Sequence, residues 1–184
     1  MSAEKQDQDI VVQITKNFKD IDVDLPKLKK LVKAICTRFK LSKATVSIAI
    51  VNDAEIRKVN KQFLNHNCPT DCLSFDLSDN ERPRLQNFAD ETRPQMQKSA
   101  FGKSNIDSTK LFELVVNAEK AVKEASLRGH SSEAELALYI THSLLHNLGF
   151  DDSAPDQAKK MHDTEDEILQ QLGYGLVYNK SIRA

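Results

Sequence analysis

The hydrophobic positions in the first half of the chain switch between the spacing of strands and the spacing of helices. Apolar and β-branched residues predict strands over residues 9–15, 46–50 and 70–77. Apolar residues three or four positions apart predict two helices, which begin near Asp24 and Asn52, residues whose side chains cap helix N-termini. The predicted inward positions are Leu28, Leu31, Ile35 and Phe39 in the first helix, and Ile56, Val59 and Phe63 in the second.

The second half of the chain carries one predicted strand and three predicted helices. The strand spans residues 111–117, and the first helix, Ala118–Arg128, is ended by Gly129. The next helix begins with a capping-box pattern at Ser132 and Glu135 and ends at Gly149, and the last begins around residues 153–156. The predicted core positions are Leu136, Ile140, Leu144 and Leu148 in the former, and Ala158, Met161, Ile168, Leu169 and Leu172 in the latter.

Residues 78–110 differ from the rest because they are polar and turn-rich, with little apolar periodicity. A stretch of this kind inside a compact domain is usually mobile or functional, and we expect a mobile insertion between two strands. The remaining elements alternate without strict strand–helix–strand regularity. The pattern therefore predicts one α+β domain over residues 1–184, built on a single mixed sheet.

Composition indicates the cellular compartment in which the protein is expected. No segment approaches the roughly 18 consecutive apolar residues that a membrane helix needs, and the first residues lack the apolar run of a signal peptide. Three cysteines, Cys36, Cys68 and Cys72, are too few for a disulfide framework and indicate a reducing compartment. Cys68 and Cys72 fit either ordinary thiols or a metal-binding pair. We expect a cytoplasmic protein without a membrane partner.

The net charge of −1 means that any nucleic-acid partner must be met by a local basic patch. The most basic stretch lies on the first predicted helix and just beyond it. Lys29, Lys33 and Lys40 are the candidate contacts to an RNA backbone. The alternative is that they form an ordinary solvated helix face.

The segment that carries candidate chemistry begins with His142 and His146. Residues at i and i+4 project from one helix face, so the two imidazoles of this zincin-like HxxxH helix can converge on one metal ion. Gly149 lets the chain turn back, and Asp151 or Asp152 can supply a third ligand, which leaves a position open for water. The alternative is a pair of partly buried histidines satisfied by their neighbours. A peptidase of the H-E-x-x-H kind is excluded because Ser143 occupies the position of its general base.

Several motifs together resemble the YbeY family of metal-dependent endoribonucleases and ribosomal RNA maturation factors. The first runs from His142 through His146 and Gly149 to Asp151, and is followed by Met161-x3-Glu165. Upstream, residues 69–75 (PTDCLSF) are similar to the family's P-T-D-V-L-S-F strand. The resemblance implies an α+β fold around a mixed sheet, one zinc ion, and ribosomal RNA and the small ribosomal subunit as partners.

The resemblance also implies roles for individual residues. The family's zinc is held by three histidines, of which His142 and His146 match two, while Asp152 stands in the third position. Among the residues of the motif, Asp151 is the candidate catalytic residue, as general base, with a group of the substrate as the alternative. Glu165 is the candidate that orients a histidine ligand, with a buried pairing to a lysine or the backbone as the alternative.

Two further departures concern function. Leu64 stands where the family usually has an arginine that meets the RNA phosphate, and Phe112-Glu113 replaces Gly-Asp in a strand. The first hypothesis is therefore a zinc-dependent endoribonuclease, and the alternative is a catalytically weak or inactive ribosome-associated RNA-binding protein. The remaining histidines, His66, His130 and His162, are expected at the surface.

Overall fold

The structure is a computed structural model that describes residues 9–78, 84–86 and 109–179. Five helices and five strands make up these residues. In chain order they are β1 (Asp9–Lys16), α1 (Leu25–Arg38), β2 (Lys43–Val51), α2 (Asp53–Leu64), β3 (Cys72–Asp76), β4 (Arg84–Gln86), β5 (Lys110–Asn117), α3 (Ala118–Arg128), α4 (Ser132–Asn147) and α5 (Pro155–Gln171).

The strands form one mixed sheet in the order β1-β2-β5-β3-β4. β2 pairs in parallel with both β1 and β5, whereas β3 runs antiparallel to both β5 and β4. The α+β class with a mixed sheet is therefore confirmed. The predicted insertion at 78–110 lies outside the described residues except at its ends and at β4, whose backbone pairs with β3.

The main core lies on the face of the sheet covered by α1, α3, α4 and α5. α4 contributes the predicted line of Leu136, Ile140 and Leu144, all fully buried, while Leu148 at its end is half-buried. Burying each leucine or isoleucine side chain contributes roughly 1.5–3 kcal/mol relative to leaving it exposed. α4 is thereby fixed between the sheet and three neighbouring helices, α1, α3 and α5.

The opposite face of the sheet carries a smaller cluster of Val51, Ile56, Leu73 and Phe75, covered by α2. The prediction that Phe63 faces the core is wrong, since this residue is 45% exposed. It lies in the last turn of α2 and packs edge-on against Phe75, with ring centroids 5.2 Å apart. The small cluster thus ends at Phe63.

The start of α4 also differs from the prediction by one residue. Ser131, not Ser132, is the N-cap, and its hydroxyl accepts a hydrogen bond from the Ala134 N–H at 3.1 Å. Glu135 does not complete a capping box. Its carboxylate is buried and lies 2.5 Å from the imidazole Nε2 of His130, so the turn before α4 is held by a buried pair.

Candidate metal centre

α4 is buried on nearly all sides, and its C-terminal half brings two imidazoles to one point. The Nε2 atoms of His142 and His146 are 3.3 Å apart. Two nitrogens bound to the same tetrahedral zinc ion at 2.0–2.1 Å are separated by about 3.3 Å. The side chains are only 13% and 7% exposed, so the space between the rings is largely shielded from water.

The hydrogen bonds of the other ring nitrogens fix how the two Nε2 atoms are used. Nδ1 of His142 lies 2.6 Å from the Glu165 carboxylate, and Nδ1 of His146 lies 3.1 Å from the carbonyl oxygen of Phe150. Both partners are acceptors, so each Nδ1 carries a hydrogen, and each ring in its neutral form presents an Nε2 lone pair. Two lone pairs that face each other at this distance repel. A cation between them removes the repulsion, so this donor set fits a metal ion.

The carboxylate that completes the group belongs to Asp152. Its Oδ2 lies 3.8 Å from the Nε2 of His142 and 3.8 Å from that of His146. The distance expected around zinc is about half an ångström shorter, a difference that rotation of the aspartate side chain can supply. The structure thus brings together the three residues predicted as ligands.

Asp151, the candidate catalytic residue, points elsewhere. Its two carboxylate oxygens accept hydrogen bonds from the backbone N–H of Ser153 at 3.0 Å and from the Ser153 hydroxyl at 2.7 Å. These bonds lower the pKa of the Asp151 carboxyl. The side chain shapes the exposed turn between α4 and α5, and its catalytic role stays a prediction.

Glu165 takes the predicted position behind a metal ligand. It is fully buried on α5 and accepts from Nδ1 of His142 with one oxygen and from Nδ1 of His162, at 2.8 Å, with the other. Burial raises the pKa of this carboxyl, but the two hydrogen bonds and the nearby imidazole charges outweigh burial and leave it below the ordinary value. The N–O distances are those of hydrogen bonds, too short for an ion to lie between the atoms. His142, His162 and Glu165 are therefore not a second metal group.

Two of the three histidines expected at the surface are not there. The side chain of His162 is 13% exposed and that of His130 is 6% exposed, while His66 is exposed as predicted. Each buried ring is bound to a buried glutamate one helical turn away or across a tight turn. The spacing from Met161 placed Glu165 on the inward side of its helix, but the burial of Glu135 and the pairing of each glutamate with one of these histidines were not predicted.

The protonation of His146 suits metal binding. Burial and the neighbouring imidazole of His142 lower the pKa of His146 to about 4. The ring is therefore neutral at pH 7, and a neutral imidazole is the form that binds a metal.

A pocket of about 170 Å³ adjoins His142 on the side of α3 and α5. Its lining includes residues that sequence reasoning did not select, namely Asp71, Lys120, Glu124, Arg128 and Tyr178. Asp71 stands in the P-T-D motif, which was a signal for it. The others become neighbours only through the fold.

Asn117 positions the P-T-D segment beside this pocket. It is fully buried, and its amide donates to the Thr70 carbonyl at 2.8 Å and to the Asp53 carboxylate at 2.6 Å. Its side-chain oxygen caps α3 by accepting from the Lys120 N–H. One asparagine therefore joins the loop before β3 to the starts of α2 and α3.

Other predicted residues lie away from the pocket. Lys29, Lys33 and Lys40 are exposed on or just after α1, and none lines the pocket. Leu64 packs against the small apolar cluster on the opposite face of the sheet. Cys72 is buried and Cys68 exposed, and neither belongs to a candidate metal group among the described residues.

The two sequence departures in β5 do not alter the centre. Phe112 is 1% exposed and belongs to the main core. Glu113 is exposed on the opposite face of the sheet. Neither residue lines the pocket or belongs to the candidate metal group.

Fold and centre together define an α+β protein with a two-histidine, one-carboxylate group at the end of a buried helix. The model of the family described as Endoribonuclease YbeY matches residues 13–173. The chain belongs to the YbeY endoribonuclease family.

Individual relatives agree with this membership. An endoribonuclease YbeY from Caldicellulosiruptor bescii is 31% identical over 89% of this chain and 97% of its own length. One from Brevibacillus brevis is 28% identical over 83% of this chain and 90% of its own. A solution structure of a protein from Thermotoga maritima has the same fold, with a TM-score of 0.50 at 19% identity, over 88% of this chain and 91% of that one.

Within the described ranges, no helix is long and apolar enough to cross a membrane.

Proposed function

We propose that the chain is a zinc-dependent endoribonuclease that cleaves ribosomal RNA, with His142, His146 and Asp152 as ligands of one zinc ion. The observation that carries the proposal is the pair of Nε2 acceptors 3.3 Å apart, with a carboxylate oxygen equidistant from both. Three protein ligands leave a fourth position for water or substrate, which is the catalytic form of a zinc site. Membership of an endoribonuclease family supplies the reaction class.

Zinc bound by these ligands would supply a water of lowered pKa and a Lewis acid for a phosphate oxygen during phosphodiester hydrolysis. The surrounding residues hold the ligand side chains in position. Glu165 fixes the ring orientation and tautomer of His142, and the Phe150 carbonyl does the same for His146. Glu165 also binds His162 through its other oxygen, so both oxygens of the carboxylate have a histidine partner.

The missing family arginine has a possible substitute on another helix. Leu64 packs against the small apolar cluster and does not line the pocket. Lys120 and Arg128 on α3 both line the pocket with His142. The Arg128 Nε is 3.6 Å from Glu124, whereas Lys120 forms no ion pair with any carboxylate in the part of the chain that the structure describes. We assign the phosphate contact to Lys120.

The proposed partners are ribosomal RNA and the small ribosomal subunit, as the family resemblance implies. Lys29, Lys33 and Lys40 would then contact RNA backbone outside the pocket, since all three are exposed. A near-neutral protein needs such local contacts because its net charge attracts no polyanion.

The non-catalytic alternative depended on Leu64 and Asp152. Leu64 is half-buried against the small apolar cluster and does not line the pocket, and Asp152 lies with the two histidines, so neither position argues for a lost site. Endoribonuclease activity is therefore the function that the geometry supports best.

The test is cleavage of a defined ribosomal RNA fragment by protein purified without an affinity tag. We expect cleavage with zinc, none after chelation, and none with His142→Ala prepared in the same way. Elemental analysis of the same preparations would identify the metal. Cleavage that persists in His142→Ala would show contamination, and zinc-loaded protein that binds the RNA without cutting it would establish the non-catalytic alternative.

A further inference from the structure

The segment that follows α5 is fixed by one buried carboxylate. Asp166, 3% exposed on α5, accepts hydrogen bonds at 2.9 Å from the backbone N–H groups of Val177 and Tyr178 with Oδ1. Its Oδ2 accepts from the backbone N–H of Asn179 at 2.9 Å and from the Asn179 side-chain amide at 2.8 Å. Bonds to a charged acceptor are stronger than neutral ones, so this segment has a defined place beside α5.

The Tyr178 side chain connects this segment to the candidate metal centre through His162 and Glu165. Its ring stacks on the imidazole of His162, with centroids 3.5 Å apart and planes 10° from parallel. His162 is bound by Glu165, and the other oxygen of Glu165 binds His142. Each side chain in this series is thus held by the next, from the exposed tyrosine to the predicted ligand.

The Tyr178 residue is partly open to solvent. It is 40% exposed although the imidazole of His162 stacks on one face of its ring. The same side chain lines the pocket that contains His142 and Lys120. A flat aromatic surface, a cation without an ion-pair partner among the described residues, and a candidate metal ligand therefore share one pocket.

We propose that Tyr178 is a stacking surface for a nucleobase of single-stranded RNA bound at the metal centre. The inference rests on the proposed function and adds a residue of this chain that would hold a base of the substrate. Bases in a duplex are stacked on one another, whereas unpaired bases can lie on aromatic side chains. Stacking is tolerant of sequence, because every base has a π-face. The tyrosine would hold the nucleotide beside the cleaved phosphate without reading its identity.

The first test measures binding of an end-labelled oligoadenylate by fluorescence anisotropy, with chelator present so that no cleavage occurs. Tyr178→Phe should keep the parent affinity, since the ring remains, and Tyr178→Leu should lose it by roughly 5- to 100-fold. Val11→Leu is the control. Val11 is 43% exposed on β1 and points away from the face that carries α4, so its substitution should have no effect.

The second test uses the absence of tryptophan from the chain. Tyr178→Trp would carry a single tryptophan, whose fluorescence a stacked adenine should quench and an oligomer of abasic nucleotides should not. Val11→Trp provides the reporter at the remote position and should respond to neither. Circular dichroism would show whether each variant is folded, and the Phe and Trp variants keep an aromatic ring if Tyr178→Leu does not fold.

The outcomes separate this inference from the proposed function. If the parent cleaves RNA in a His142-dependent way but Tyr178→Leu binds like the parent, only the stacking role is overturned. Equal quenching by abasic and adenine oligomers would overturn it as well. If the parent neither binds nor cleaves single-stranded RNA, the proposed function and this inference both fail.

Discussion

Replacing Glu165 by glutamine tests whether the buried carboxylate controls the metal ligands. Glu165 accepts from Nδ1 of His142 and Nδ1 of His162, whereas a glutamine has a single acceptor oxygen and an NH₂ group. If the NH₂ faces His142, the ring must carry its hydrogen on Nε2 and can no longer offer that atom to a metal. If the oxygen faces His142, the ring loses the support of a negative charge.

Either arrangement should weaken zinc binding. Loss of a hydrogen-bonding partner behind a metal ligand typically costs 10- to 100-fold in affinity, or about 1.4–2.7 kcal/mol. The Glu165 carboxylate is fully buried and its bond to His142 is 2.6 Å, so we expect the effect of Glu165→Gln in the upper part of that range.

The assay is zinc titration against a competing chromophoric chelator, at one pH because protons and metal compete for histidine. Glu167→Gln is the matched control. Glu167 is exposed on the same helix and pairs with Arg38 at 2.7 Å, so its substitution removes the same charge without touching the centre. Zinc affinity of Glu165→Gln within about twofold of both parent and control would refute the reasoning.

Three further predictions follow from the same contacts. Asp152→His should raise zinc affinity, because imidazole suits zinc better than carboxylate, and Asp152→Ala should lower it. Asp151→Ala should leave zinc affinity nearly unchanged, because Asp151 is bound to Ser153. Loss of zinc only in Asp151→Ala would make that residue the third ligand. The metal-free protein should lose up to about 3 kcal/mol of stability as pH falls from 6.5 to about 4, because His146 binds a proton in the unfolded chain but not in the folded one. A melting temperature that is constant over this range would contradict the lowered pKa of His146. Asp166→Ala should reduce the free energy of unfolding by about 2–3 kcal/mol in chemical denaturation, since three backbone N–H groups lose their acceptor. Asp163→Ala, at an exposed position of the same helix, should not. Equal losses in the two variants would show that the hydrogen bonds of Asp166 contribute nothing to stability.

The elements that sequence periodicity predicted are those with many apolar residues on one face. α4 is the clearest case, because Leu136, Ile140 and Leu144 repeat every four residues and all three are fully buried. The error at its start arose because Ser131 and Ser132 are adjacent and chemically alike, and only backbone geometry decides which one caps. Glu135 fitted the capping-box spacing, but in the fold it bonds His130 instead.

The metal group was predictable because its members are close together in the sequence. The rest of the pocket was not, because it is assembled from segments far apart in the chain. The spacing of Glu165 from Met161 placed it on the inward side of α5, but its pairing with His162, which was expected at the surface, was not predicted. Tyr178 reaches the pocket only because Asp166 binds the backbone around it.

The three predicted metal ligands lie between residues 142 and 152, in a single helical turn and the bend after it. A ring closed by so short a segment loses little chain entropy, so the ion would act as a local cross-link between the end of α4 and the start of α5. The sheet and α3 lie outside this ring and would gain little from it directly. Zinc should therefore strengthen one corner of the molecule and leave the opening of the distant edge strand β1 largely unaffected, so that the two ends of the fold differ in how far their stability depends on metal supply.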